Sequence, residues 1–480
     1  MASGLNRPGG ALDARTALAP YRDMWDERLA AHLLRRAGFG GTPQEIAAAA
    51  RSNLHDVVES LVHYAGPSNA SPPDVYDPTQ QLFGIRLLAA ADRMATLKTI
   101  RQQAQQSIVS MQTWWLNQML TTPAPLQEKM TFFFHGHFTT AAIQKGAWPS
   151  YVYNQNQLFR QNALGNLRDL TLAVSKDPAM LLYLDNASSN KTHPNENYAR
   201  ELMELFTLGH GNYSEEDIRQ SARAFTGWTI DRQTGEFVDN PRIHDTGIKT
   251  FLGRSGNFDG SDIVSIIYQQ PAASKFWANT LLNYFVYNDP EPQLVDGLAS
   301  VIRKYDFNLA PVMSTLLQSN VFFSPRAYRA LVKSPVEFVV GTHKTFALPE
   351  IDKIAPRALS QMGQILFYPP NVAGWPGGQN WITSQTIIAR QNFLAQLSNS
   401  PMMGNSAWLE EITMDADRAS FELIQVLLQG DAPEAARAQL LSYLNGASTS
   451  ALKTLSAENF QERVRGAAYL AMTMPAYQLA

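Results

Sequence analysis

Helix punctuation constrains this chain more than any other feature. Thr42-Pro43 with Glu45 three residues on, Asp177-Pro178, and Ser214 with Asp217 each read as an N-cap leading into a first helical turn. Between such marks apolar residues recur three and four apart. Ile100, Ile108, Met111, Trp115 and Met119 fall on one face of a helix expected from about Leu82 to Leu120. The segment DERLAAHLLRRAGFGG reads as a helix stopped at Gly38 to Gly41, and APLQEKMTFFFHGHF as one that ends at Gly136. Strand material is confined to a ribbon near residues 228–253, where Thr234-Gly235 supplies the hairpin turn. The expected fold is mainly α: a single large multi-helix domain with a small β-ribbon insertion. An N-terminal arm (1–29) precedes a mostly helical core (30–397), and a helical C-terminal portion (398–480) packs on it.

Bulk properties exclude several function classes. With 480 residues, 45% of them hydrophobic and 17% charged, the chain has ample material for a core. A formal net charge of -3 gives no basic field for nucleic acid, so no nucleic-acid partner is expected. The absence of cysteine removes disulfides, zinc-thiolate sites and thiol nucleophiles. A metal would need His, Asp, Glu, Asn or main-chain oxygen. No apolar run approaches a bilayer span, so an integral membrane protein is not expected. The first twenty residues lack the apolar core of a secretory signal. P-loop, dinucleotide, H-E-x-x-H and G-x-S-x-G signatures are all missing.

Two segments concentrate polar chemistry. His135 and His137 flank Gly136; a helix stopped at that glycine would let both imidazoles converge, as a metal pair or an acid and a base. The plainer alternative is a dipole-favoured helix cap plus a packed surface histidine. The helix expected from Asn195 to Leu208 carries an apolar stripe of Leu202, Leu205, Phe206 and Leu208. Arg200 stands four residues from both Glu196 and Glu204, and Glu201 lies one step round. Either this is a salt-bridged surface, or Arg200 holds one carboxylate while Glu201 or Glu204 remains free as base, acid or ligand. Asp185, Asn186, Asn195 and Asn197 add hydrogen-bonding groups beside it, and His210 sits between two glycines. His244-Asp245, near Lys249, lies on the expected ribbon. A Pro/Gly-fixed loop, FYPPNVAGWPGGQNW, presents Tyr368, Asn371, Trp375, Asn380 and Trp381; with Trp228 these suit sugar rings or, equally, plug a core.

Seven segments in order resemble the large bacterial domain-of-unknown-function 1800 family (DUF1800). They are HLLRRAGFGGTPQEI, MTFFFHGHFTT, DPAMLLYLDN, NENYARELMELFTLGHGNYSEEDIRQSARAFTGW, HDTGIKTFLG, LVKSPVEFVVG and MGQILFYPPNVAGWPGGQNWI. The chain departs from the pattern at FFHGHF, where relatives commonly place Trp before the first His and Asn between the two. The resemblance implies no assigned chemistry. It implies export, hence a periplasmic or extracellular location, although this chain begins without a leader and a cytoplasmic location stays open.

Site chemistry and resemblance together lead to an expected exported enzyme, a hydrolase or lyase. It would act on a glycan or related polymer with Glu201, Glu204, His135 and His137 as acid–base groups. Asp185, Asn186, Asn195, Asn197, Arg200, Trp228, His244, Asp245, Trp375 and Trp381 would hold the substrate. A first alternative is a metal-dependent hydrolase with a divalent ion on His135, His137 and Glu204. A second is a non-catalytic glycan-binding or cell-surface assembly protein.

Overall fold

The computed structural model describes residues 14–64, 72–404, 406–412, 414–446 and 457–480. Residues 1–13 of the expected arm, and part of the loop before Pro78, lie outside the described residues.

The caps do what their chemistry requires. Thr42 and Ser214 close full capping boxes with Glu45 and Asp217, and Asp177 accepts from the Met180 amide ahead of Pro178–Tyr183. Among the described residues the result is mainly α, with two small antiparallel ribbons. One pairs Trp228–Ile230 with Phe237–Asp239, and Gly235 adopts the positive φ its turn needs. The other pairs Lys249–Phe251 with Arg254–Gly256. The long helix is shorter than expected, running Ala90–Thr121 after a separate turn at Thr79–Gly84. Gly84 is the weakest helix former in that stretch. Ile100, Ile108, Met111, Trp115 and Met119 are all buried, as their spacing requires.

Two apolar clusters form the interior. The first gathers Leu33 of the Glu27–Arg36 helix with Phe206, Trp277, Phe285 and Leu309. The second gathers Trp115, Phe338, Phe367 and Phe393 with Trp408, Leu427 and Val464 from the C-terminal portion. The Pro125–His137 helix serves both: Met130, Phe133 and Phe134 enter the first cluster and Phe132 the second. A buried network anchors this helix, with Arg160 gripping Glu128 at 2.7 and 2.9 Å while the Trp115 indole donates to the same carboxylate. Among the described residues no helix is long and apolar enough to cross a membrane.

Candidate functional site

The Pro125–His137 helix runs through Gly136 instead of stopping there. Two positions on a continuous helix differ by roughly 200°, so the histidines point to opposite sides and the expected convergence does not occur. His135 goes inward, against Trp115, Phe367 and Trp375. Its Nε2 accepts the Phe367 amide at 3.1 Å, and burial lowers its pKa to about 3. It is a neutral pin for the chain at Phe367. His137 lies on the face shared by Lys129 and Phe133, four residues apart each. Its ring stacks on Phe133 and meets Trp277 at 4.6 Å. Nε2–H donates to the Phe206 carbonyl at 3.0 Å, which leaves Nδ1 as the acceptor. Burial lowers its pKa to about 4.

That helix face looks into a cavity of about 480 Å³. Lys129 forms an ion pair with Glu337 from the Pro335–Thr345 helix, whose capping box with Ser334 fixes the carboxylate. Lys129 holds Glu337 below the usual carboxylate range against the opposing effect of burial. Arg36, 3% exposed, comes from the last turn of the Glu27–Arg36 helix. Its Nη2 donates to the Val286 and Ala327 carbonyls, both at 2.8 Å, while Nε and Nη1 are buried without partners among the described residues. The Tyr284 hydroxyl is likewise buried and unpartnered, and burial raises it well above its ordinary pKa. Asn279, Asn283 and Tyr284 line the cavity from the Pro271–Phe285 helix.

Trp375 and Trp381 form the remaining wall. Their loop is held at its start by His135 and by the Ala142 amide donating to the Phe367 carbonyl at 2.8 Å. Thr139 donates to the Val372 carbonyl one turn further on. Gly374 has φ +78° and lies against the Gly136 carbonyl oxygen, where any Cβ would collide. Trp375 is half-buried at the cavity and Trp381 nearly buried, so these rings serve as both plug and wall.

The acidic helix lies elsewhere. Glu196–Glu201 is α-helical, but Leu202–Thr207 forms a π turn. The extra residue in that turn breaks the four-residue stacking that would pair Arg200 with Glu204. Arg200 instead clasps Glu215 at 2.9 Å through two nitrogens, with Glu196 at 3.5 Å. Glu204 accepts from the Tyr213 hydroxyl at 2.9 Å and faces His210 at 3.3 Å. Among the described residues Glu201 has no ion-pair partner; burial and Glu204 raise its pKa against the pull of Arg200. Neither glutamate lines the cavity that His137 lines. Among the described residues no three His, Asp or Glu side chains are grouped to hold a metal ion, so His135, His137 and Glu204 are not a ligand set.

Most of the other expected substrate groups serve the frame around this helix. Asn195 caps it by accepting the Asn197 amide at 2.9 Å, and donates to the Asp185 carbonyl at 3.1 Å; the Asn197 side chain is exposed. Asp185 pairs with Lys145 at 2.6 Å. His244 Nδ1–H donates to the Thr226 carbonyl at 2.7 Å, and Asp245 accepts a fork from Arg223 at 2.7 and 3.1 Å. Trp228 is buried beneath Lys176. Asn186 is fully buried, and neither end of its amide has a partner among the described residues. Of the expected residues, His137, Trp375 and Trp381 meet at the cavity.

Arg36, Lys129, Tyr284 and Glu337 were missed. Lys129 was legible as the position eight before His137 on the same helix face. The rest arrive from distant segments, and no spacing along the chain joins them. HLLRRAGFGG, MTFFFHGHF, LVKSPVEFVVG and the Trp loop all contribute to this lining. A family model described as a protein of unknown function (DUF1800) matches residues 32–479. No curated protein and no solved structure matches the chain.

Proposed function

The chain belongs to the DUF1800 family, and from that premise we propose that it acts on a glycan or related polymer bound in the cavity beside His137. One observation carries this: two indole rings, asparagine side chains and an imidazole with an unpartnered nitrogen line a single cavity. Indole faces suit the apolar faces of sugars, and amides suit their hydroxyls. His137 is neutral above about pH 4, so Nδ1 is available as a base. Tyr284 keeps its proton and supplies an acid.

The cavity favours elimination over hydrolysis. Hydrolysis by paired carboxyl groups needs two of them about 5 to 9.5 Å apart. Glu337 is the one acidic side chain among the described lining residues, and Lys129 keeps it ionised. Elimination needs one base and one acid: a C–H proton passes to His137, the adjacent C–O bond breaks as a C=C bond forms, and the leaving oxygen takes the Tyr284 proton. Export to the periplasm or beyond, implied by the family resemblance, belongs with this proposal.

His137→Gln tests it, because an amide N–H can replace the donor to Phe206. Polymer turnover is expected to fall roughly 10²–10⁴-fold with the melting temperature nearly unchanged. Trp375→Ala is expected to raise KM more than it lowers kcat. Full turnover in His137→Gln removes the base assignment. Glycan binding that depends on Trp375, without turnover in the intact protein, makes the protein a binding module instead.

A further inference from the structure

We infer that the cavity recognises an acidic sugar, a glycan unit whose carboxylate seats against Arg36 beside the Lys129–Glu337 pair. The sugar part rests on the glycan proposal above; the anion part rests on charge and geometry alone.

Among the described lining residues the cationic side chains are Arg36 and Lys129, and the single acidic side chain is Glu337. Lys129 already occupies that carboxylate. Among the described residues Arg36 donates only to two neutral carbonyls, and two of its nitrogens face no acceptor although the residue is almost wholly buried. A buried guanidinium is costly until an anion and hydrogen-bond acceptors reach it. Burial pulls its pKa down to about 9, so it is still charged at neutral pH.

The excess of positive charge continues behind the cavity. Arg35 has two buried nitrogens without acceptors. Lys333 donates to the Tyr477 carbonyl, and Arg390 to the Lys333 carbonyl and Gln478. None of these three forms an ion pair among the described residues. Burial lowers the Lys333 ammonium well below its ordinary pKa, whereas Arg35 and Arg390 come down only to about 10 and stay charged at neutral pH, so the field of these two guanidinium groups favours an incoming anion.

The remainder of the cavity selects more than a bare ion. Its volume of about 480 Å³ greatly exceeds the roughly 30 Å³ share of one water. Trp375, Trp381, Asn279 and Asn283 give it apolar and amide surfaces that an inorganic anion would not use. An acidic sugar also fits elimination. Removing the proton from the carbon that bears the carboxylate places charge on that group, where Arg36 stabilises it. The C–O bond on the next carbon then breaks, its oxygen taking the Tyr284 proton, and the product is an unsaturated acidic sugar.

Isothermal titration of the full chain with an oligogalacturonate trimer, cellotriose and sodium phosphate tests the inference. The acidic trimer is expected to bind at least tenfold more tightly than cellotriose, with a preference that shrinks as NaCl rises. Arg36→Gln is expected to bring the acidic trimer down to the affinity of cellotriose, and Arg36→Lys to keep part of the preference. Melting temperatures confirm that the variants fold. If Arg36→Gln does not fold, Arg36→Lys and the salt series decide. Equal wild-type affinity for the two trimers, binding of neither, or an acidic preference untouched by both Arg36 variants overturns the inference. Phosphate binding as tight as that of the acidic trimer, without cellotriose binding, keeps the anion seat and removes the glycan proposal.

Discussion

At the scale of single residues, burial decides protonation more than sequence neighbours do. Asp177 shows this away from the cavity. It caps Pro178–Tyr183 and accepts from Gln155 at 2.8 Å and the Met180 amide at 2.9 Å, yet burial pushes its pKa up to about 7. The folded state therefore holds this proton more tightly than the unfolded chain, where the carboxyl returns to about 3.9. Asp177 contributes stability below the unfolded value, and the contribution is lost as pH rises from about 4 to about 7. Asp177→Asn keeps a competent cap and should abolish that component, worth up to a few kcal/mol. Urea titrations of both proteins from pH 4 to 8 would check it; identical pH slopes would rule it out. His135 and His137 teach the same lesson. Two identical side chains two residues apart become a structural pin and part of a cavity wall, because one faces Trp115 and the other faces Phe133 across an unbroken helix.

At the scale of elements, irregular segments place the chemistry. The π turn at Leu202–Thr207 takes Glu204 away from Arg200, and its Phe206 carbonyl receives the His137 donor. The Trp loop lies against the end of the Pro125–His137 helix at Gly374, where a side chain has neither the space nor the backbone conformation it needs. Gly374→Ala is thus expected to cost about 1–3 kcal/mol and to displace Trp375. Denaturant unfolding together with tryptophan emission would register both changes. An unaltered spectrum with full glycan affinity would show that the loop does not depend on this contact. The sequence made the loop's rigidity legible through its Pro and Gly residues. It gave no sign that the loop is tied to His135 and Thr139, since those bonds are made only after folding.

At the scale of the molecule, the C-terminal portion is part of the second interior cluster. Phe346 stacks on Trp408 at 5.4 Å, and Phe338 meets Tyr477 at 5.9 Å. Lys333 and Arg390 also donate to Tyr477 and Gln478. A fragment ending at residue 397 is expected to expose these aromatics, bind a hydrophobic dye and lose cooperative thermal unfolding. Circular dichroism and dye fluorescence on fragment and full chain would test this. A cooperative, dye-negative fragment would make the last eighty or so residues an independent appendage.

Local rules determined where helices start, which faces bury, and that β structure stays near residues 228–253. Caps, spacing and turn residues act over a few residues and are written in order along the chain. Tertiary structure alone decided the candidate site. Arg36, Lys129, His137, Tyr284, Glu337 and Trp375 come together from five separated segments. Glu204, inside a π turn, meets Tyr213 and His210 and not Arg200. Pairing between distant segments follows from how whole helices pack, and no local periodicity encodes it.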